Sequence, residues 1–314
     1  LTQPEINPNA MNSLPGSSNP PHVNSIDAAR RFGGVERIFG QAGAARLGQA
    51  RVLVAGIGGV GSWCAEALAR SGVGGLVLVD LDHIAESNIN RQLHALGDTL
   101  GQAKIMAMAQ RIRGINPACA LTLVDDFVSP DNVGSLFTGP LDVVIDCTDQ
   151  AQAKIAMILE ARQRTLPIVV CGGAGGKTNP LALTAGDLSQ AVNDALLAKL
   201  RNTLRRRHGF PRGGQGGGKA RRRVPRMGVR ALWFDQPAQL PDVWLQARTA
   251  LKAVGDTPTP RDEPGQLAAH APEAAILQGL SCAGYGSLVT VTASMGMAAA
   301  HDAMQWLLHG KFSA

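Results

Sequence analysis

The chain has 314 residues, 45% of them hydrophobic, which is enough for a core of domain size and excludes a wholly disordered polymer. Aromatic residues make up only 4%, so the packing has to come from Ala, Val, Leu and Ile. The net charge of +6 is unevenly placed. Twelve Lys or Arg and no Asp or Glu lie from Lys199 to Arg230, and removing those twelve from the 30 basic residues leaves 18 against 24 acidic ones. A mildly acidic body with one basic segment points to a polyanionic partner or to a solvated loop, and charge alone leaves both open.

In chain order, residues 1–26 are rich in Pro, Asn and Ser and read as a mobile leader without a basic-then-apolar targeting pattern. Residues 28–47 predict a helical arm of mixed polarity. A strand at 51–55, the glycine turn Gly56-Ile57-Gly58-Gly59-Val60-Gly61, a helix over 62–71 and a strand over 75–80 together make a βαβ unit. Its continuous apolar strands imply a parallel sheet covered on both faces. The alternation continues with a helix over 101–115, strands at 121–124 and 141–146, a helix over 151–164 and a strand at 167–171. Residues 172–176 are glycine-rich and must be a loop. A basic helix is expected over 187–207, then a glycine-rich arm, a strand near 229–234, a stretch over 236–279 with no readable pattern, and a last helix from about Ser287. The fold class that follows is α/β: a Rossmann-like, mostly parallel sheet with helices on both faces and a flexible basic insertion. The divisions implied are the leader 1–26, a nucleotide-binding core with its arm over 27–185, a basic helix and arm over 186–280, and a helix packed on the core over 281–314.

The five cysteines, Cys64, Cys119, Cys147, Cys171 and Cys282, make no CxxC pair and no zinc spacing. They read as reduced thiols of a cytoplasmic protein. The apolar stretch 287–308 contains Asp302, which favours a buried helix over a membrane span.

Gly56, Gly58, Gly59 and Gly61 supply a tight turn and a helix start with free amides for phosphate. Asp80 lies 24 residues beyond Gly56, at the end of the second strand, where a carboxylate accepts from ribose hydroxyls. By itself this pattern suggests NAD or FAD. The next segment redirects it: Asp82, then Ser87-Asn88-Ile89-Asn90-Arg91-Gln92, then Lys104. Two fixed cations and an amide beyond the ribose carboxylate suit a triphosphate attacked at its α-phosphorus better than a neutral nicotinamide. Asp146-Cys147-Thr148-Asp149 ends a strand in the same crevice and suits a Mg²⁺ ion on the phosphates. Taken singly, Asn88 also suits a turn cap, Arg91 a surface ion pair and Lys104 a solvated helix position.

Asp80-Leu81-Asp82, the run from Ser87 to Gln92, Lys104 and Cys147-Thr148-Asp149 resemble the signature of the E1-like adenylating enzymes of ThiF, MoeB and HesA type. The resemblance implies ATP bound by Asp80, Asn88, Arg91 and Lys104, with Asp149 organising Mg²⁺. It also implies a homodimer in which Arg37 reaches the other subunit's site in trans. Further stretches, among them Arg31-Phe32-Gly33-Gly34, Val124-Asp125-Asp126-Phe127-Val128 and Ser281-Cys282-Ala283-Gly284, are similar to the bacterial branch that dehydrates threonylcarbamoyladenosine in tRNA. That branch implies adenylation of a carboxylate on adenosine-37 of ANN-reading tRNA, then ring closure with loss of AMP. Its RNA would be met by Arg205, Arg206, Arg207, Arg212, Lys219, Arg221, Arg222 and Arg223. Cys282 matches a family cysteine and is a candidate nucleophile, although ring closure requires none and Ala231 stands where another family cysteine would be. The loop 172–176 offers carbonyls for a K⁺ or Na⁺ ion. The residues leave open whether a sulfur-transfer partner, such as a cysteine desulfurase or its sulfur acceptor, docks. The competing readings are an activator of a sulfur-carrier or ubiquitin-like protein and a non-enzymatic NAD-sensing or RNA-binding scaffold.

Overall fold

The computed structural model describes residues 27–137, 139–212, 224–240 and 285–312. Asp27 starts α1 (Ala28–Gln49) by accepting from the Arg30 amide, and the helix bends at Gly40, whose φ of 72° lies in the left-handed region. Then follow β1 (Arg51–Ala55), α2 (Gly61–Arg70), β2 (Gly75–Val79), α3 (Lys104–Ile115) and β3 (Ala120–Val124). The chain continues with the short α4 (Val133–Leu136), β4 (Val143–Asp146), α5 (Ala151–Gln163), β5 (Ile168–Cys171) and β6 (Leu183–Asp187). Last come α6 (Ala195–Arg207), β7 (Arg230–Phe234) and α7 (Val289–His309).

The seven strands form one sheet in the order β3-β2-β1-β4-β5-β7-β6, parallel throughout except for β6, which runs antiparallel to β7 at the edge. Alternate strand residues face opposite layers. Val52 and Val54 of β1 pack with Leu47, Cys64, Leu68, Met108, Met295 and Ala299 under α1, α2, α3 and α7. Leu53 and Ala55 pack with Leu136, Met157, Leu197 and Leu204 under α4, α5 and α6. Two apolar layers on a doubly covered parallel sheet are what the continuous apolar strands imply. The chain turns from β1 to one side through β2 and β3 and then restarts at β4 on the other side, which leaves a crevice at the carboxyl ends of β1 and β4.

The helix expected over 187–207 is shorter and is preceded by a strand. Asp187 ends β6 and its side chain accepts from the Ser189 amide of a 3₁₀ turn. Asn193 takes a φ of 54°, so helix begins only at Ala195, capped by Asp194. The division expected after residue 185 therefore falls within β6, and 224–240 continue the same sheet through β7. Asp302, the one acid in α7, is held by Arg230 of β7 through two hydrogen bonds of 2.7 and 2.9 Å. Among the described residues no helix is long and apolar enough to cross a membrane.

The contact of α7 with α2 depends on Gly296. A Cβ there would lie 2.4 Å from the Val60 carbonyl oxygen and 2.9 Å from Trp63 Cβ. Gly114, inside α3, has nothing within 4 Å of the same added atom. Gly114→Ala should stabilise by up to ~1 kcal/mol through helix propensity alone, whereas Gly296→Ala should lose ~1–3 kcal/mol to overpacking. Thermal melts of the two variants should move in opposite directions.

Candidate nucleotide-binding site

The loop after β1 is built without room for side chains. A Cβ on Gly61 would lie 1.8 Å from the Gly56 carbonyl oxygen, and one on Gly56 would lie 2.8 Å from the Cys147 carbonyl and the Thr148 nitrogen. The glycine turn and the segment after β4 are thus in direct backbone contact across the crevice. Gly58 leads into α2 by accepting from the Ser62 amide. A Cβ on Gly59 would stand 3.2 Å from Thr292 of α7 and 3.4 Å from Arg91 Cγ, so Arg91 lies against the loop.

Asp80 leaves the end of β2 and accepts from the Ile57 amide at 2.6 Å and the Asp82 amide at 2.9 Å. Burial raises its carboxyl above the ordinary value, and the Lys104 ammonium acts in the opposite direction. Lys104 opens α3 and is buried, with Nζ 2.6 Å from the exposed Asp82 carboxylate. Arg91 is half-buried and donates to the Ser87 carbonyl at 2.8 Å and to Asn90 Oδ1 at 2.9 Å, while its own carbonyl accepts from Trp63 Nε1. The loop, Asp80, Asp82, Lys104 and Arg91 are therefore gathered at one place, as their spacing suggested.

Other expected residues stand differently. Asn88 is buried, and its Oδ1 accepts from the Ala85 amide, which closes the turn that carries Arg91. The oxygen is engaged in local structure. Asp149 is exposed beside the crevice. Arg37 is exposed on α1 and makes no hydrogen bond or ion pair among the described residues, and none joins it to Asp80, Arg91 or Lys104. In the loop at 172–176, the Gly176 carbonyl already accepts from the Gln239 amide. The buried Lys177 ammonium beside it donates to the Asn193 and Gln236 carbonyls. Arg205 turns inward to the Pro211 carbonyl, whereas Arg206, Arg207 and Arg212 are exposed. Cys282, Lys219, Arg221, Arg222 and Arg223 lie outside the described residues. No cluster of metal-ligating side chains occurs among the described residues.

Sequence reasoning missed one support beneath the crevice, the pairing of Asp146 with Lys154. Asp146 and Lys154 are both fully buried and pair at 3.2 Å. The same Asp146 Oδ1 accepts from the Thr148 amide at 3.0 Å and its hydroxyl at 2.7 Å, which fixes the turn leading to Asp149. The available signal was a lysine on the apolar face of α5, beside the buried Ala153, Met157, Ile158 and Ala161. His94, whose place just beyond Arg91 in the sequence suggests an orienting role, is the second support. Burial pushes it from 6.5 down to about 4, with the Ile57 carbonyl opposing, so the ring is neutral near pH 7. Its Nε2 donates to that carbonyl at 2.9 Å and fixes the glycine turn from behind.

A family model described as the ThiF family matches residues 34–313. The chain belongs to the ThiF family. The tRNA threonylcarbamoyladenosine dehydratase of Escherichia coli K12 is 36% identical over 280 residues, which are 89% of this chain and 94% of that protein. The crystal structure of the E. coli dehydratase in complex with ATP matches with a TM-score of 0.71 at 34% identity, covering 90% of this chain and 95% of that one. The molybdopterin-synthase adenylyltransferase of Salmonella typhimurium is 37% identical over 118 residues, only 38% of this chain. The α/β architecture with its mostly parallel sheet is thus that of a ThiF-family enzyme, and likeness to the dehydratase extends well beyond the part shared with the molybdopterin-synthase adenylyltransferase.

Two predictions follow from the supports. Lys154→Met strands a buried carboxylate and should cost ~3–5 kcal/mol in urea unfolding, while adding Asp146→Asn should recover much of that loss. For His94, the unfolded chain binds a proton below 6.5 while the fold resists until about 4, so its stabilising effect is full above 6.5 and fades between those values as pH falls. His94→Gln, which keeps a donor for Ile57, should flatten the fall in melting temperature across that window.

Proposed function

We propose that the chain uses ATP to adenylate the carboxylate of N6-threonylcarbamoyladenosine at position 37 of ANN-reading tRNA, and then closes that side chain into a ring. The observation that carries this reading is the meeting of Arg91 and Lys104 with Asp80 at the glycine turn, in a chain whose near-full-length relative is a tRNA threonylcarbamoyladenosine dehydratase. The residues fit ATP as substrate. The side-chain-free turn at Gly56 and Gly61 admits a phosphate close to the backbone at the head of α2. Asp80 suits the ribose hydroxyls. Arg91 and Lys104 suit the phosphate oxygens on which charge builds as the carboxylate oxygen attacks the α-phosphorus and pyrophosphate leaves. Mg²⁺, held at Asp149, would neutralise charge on the departing phosphates.

Ring closure follows without a new partner. A carbamoyl nitrogen of the same side chain attacks the acyl carbon, the bond to AMP breaks and the nitrogen gives up its proton, so one water is lost in total. Tethering of nucleophile and acyl carbon makes the step effectively unimolecular. A thiol at Cys282 is not required by this sequence of steps. Two further elements belong to the reading: a homodimer in which Arg37 enters the neighbouring site, and tRNA contact by Arg206, Arg207 and Arg212. The exposed, unengaged guanidinium of Arg37 on an arm that bends at Gly40 supports the first.

Incubation with Mg²⁺-ATP and threonylcarbamoyladenosine-bearing tRNA should remove one water from the modified nucleoside, with one AMP formed per ring. Arg91→Ala should lower kcat by ~10²–10³. An unchanged nucleoside with an active preparation would overturn the reading. Arg37 has its own assay. Arg37→Ala and Arg91→Ala subunits, each inactive alone, should regain about a quarter of wild-type activity after equal mixing and subunit exchange, because one site of each mixed dimer is then complete. No recovery would remove Arg37 from the neighbour's site.

A further inference from the structure

The sheet has two working edges, and a group of exposed arginines lies at the one away from the glycine turn. α5 begins just after Asp149, and α6 begins at Asp194, whose Oδ2 accepts from the Gly173 amide in the loop after β5. Both helix heads therefore sit at the carboxyl edge of the strands, where the nucleotide site is. Both tails end at the opposite edge. Arg162, in the last turn of α5, stacks 4.6 Å from the Phe210 ring that follows α6. Arg226 reaches the same edge from another direction, because the next two amides, of Met227 and Gly228, both donate to Asp187 at the end of antiparallel β6. Thirteen residues of α6 set the two edges about 20 Å apart.

On this far edge Arg206, Arg207, Arg212 and Arg226 are exposed, and none makes an ion pair among the described residues. Lys199 is exposed about two turns further up the same face of α6, seven residues before Arg206, and so extends the row back toward the reactive edge. Helix capping does not account for the set. A helix tail attracts cations through its carbonyl dipoles, but Arg205 reaches forward to the Pro211 carbonyl beyond the helix, and among the described residues neither Arg206 nor Arg207 donates to a carbonyl of the tail. Asp187, the acid that the segment after Arg226 contacts, is committed to the Ser189, Met227 and Gly228 amides and forms no ion pair with these guanidinium groups.

We infer that this far edge grips the phosphate backbone of an RNA stem while the modified base sits about 20 Å away at the glycine turn, so that the protein recognises a folded RNA by its length as well as by its base. The inference rests on the proposed reaction at the crevice and adds to it a footprint that a nucleoside or a short single strand cannot fill. Arginine forks suit that backbone, and sequence readout is not needed from residues that only position the substrate.

The test compares full-length threonylcarbamoyladenosine-bearing tRNA with a stemless oligonucleotide carrying the same modified loop, on wild type and on Arg206→Ala/Arg207→Ala/Arg226→Ala, reading both filter binding and product. With wild type, the tRNA should bind at least about tenfold more tightly than the oligonucleotide. The triple variant should remove most of that advantage and lower the slope of log Kd against log salt by about 2–3. Equal binding of the two RNAs by wild type, or an unchanged salt slope in a variant that melts normally, overturns the footprint. Product from neither RNA, with tRNA binding still weakened by the triple variant, would instead defeat the reaction and leave the footprint standing.

Discussion

The Gly56 carbonyl and the Gly61 Cα approach so closely that an added methyl group would fall 1.8 Å from the oxygen, and Gly56 itself is pressed on the Cys147–Thr148 backbone. Everything at the crevice depends on this contact of bare main chain. It brings the carboxyl ends of β1 and β4 together at the point where the strand order reverses. It also fixes how far Asp80, reaching over from β2, must extend to hold the Ile57 amide. With that amide committed to Asp80 and the Ile57 carbonyl committed to His94, the turn is pinned from both sides. A loop so constrained is preorganised for an anion, and little conformational entropy remains to be lost when one binds.

Charge in the site is arranged by depth. Lys154 and Asp146 are fully buried and neutralise one another beneath the crevice, so the pair adds no net field but fixes the geometry of Thr148 and the residue after it. Nearer the surface Lys104 stands between two carboxylates, Asp80 and Asp82, and one of those carboxylates is exposed. An incoming phosphate can compete for an ammonium whose present partner is solvated far more readily than for one sealed with its counterion. Arg91 is similarly held only by a carbonyl and an amide oxygen, neither of which neutralises it. The buried pair is therefore scaffold, and the shallower cations are the ones free to act.

Most of the sheet was legible because buried parallel strands are written as uninterrupted apolar runs, as in Val52-Leu53-Val54 and Leu76-Val77-Leu78. β6 was not, since an edge strand needs only one covered side, and Leu183-Thr184-Ala185-Gly186-Asp187 ends in residues that ordinarily mark a turn. The core of the site was legible too. Gly56, Asp80, Arg91 and Lys104 lie within one βαβ unit and its extension, where spacing along the chain almost dictates spacing in the crevice. Partnerships across the fold were hidden. Nothing local in α5 reveals that Lys154 meets Asp146, or that of three consecutive arginines one turns inward while two stay in solvent. Those outcomes depend on how whole helices rotate against the sheet, which periodicity specifies only to within a residue or so. Asn88, whose position suits either phosphate contact or a turn cap, has its oxygen engaged in a turn.

The polarity of α5 and α6 links these points to catalysis. Each helix starts beside the reactive edge and ends at the basic one, so the same elements that hold Asp149 and the Gly173 loop in place also set the distance to Arg206 and Arg207. An anchor of this kind, remote from the reacting atoms, contributes equally to ground state and transition state unless the substrate is stiff. RNA stems are stiff. On the proposed reading, a stem held at the far edge would transmit its orientation to the base at the near edge, so binding free energy gained on phosphates that never react would be converted into alignment of the carboxylate with the α-phosphorus. A flexible single strand, held by the same cations, would gain affinity without gaining that alignment.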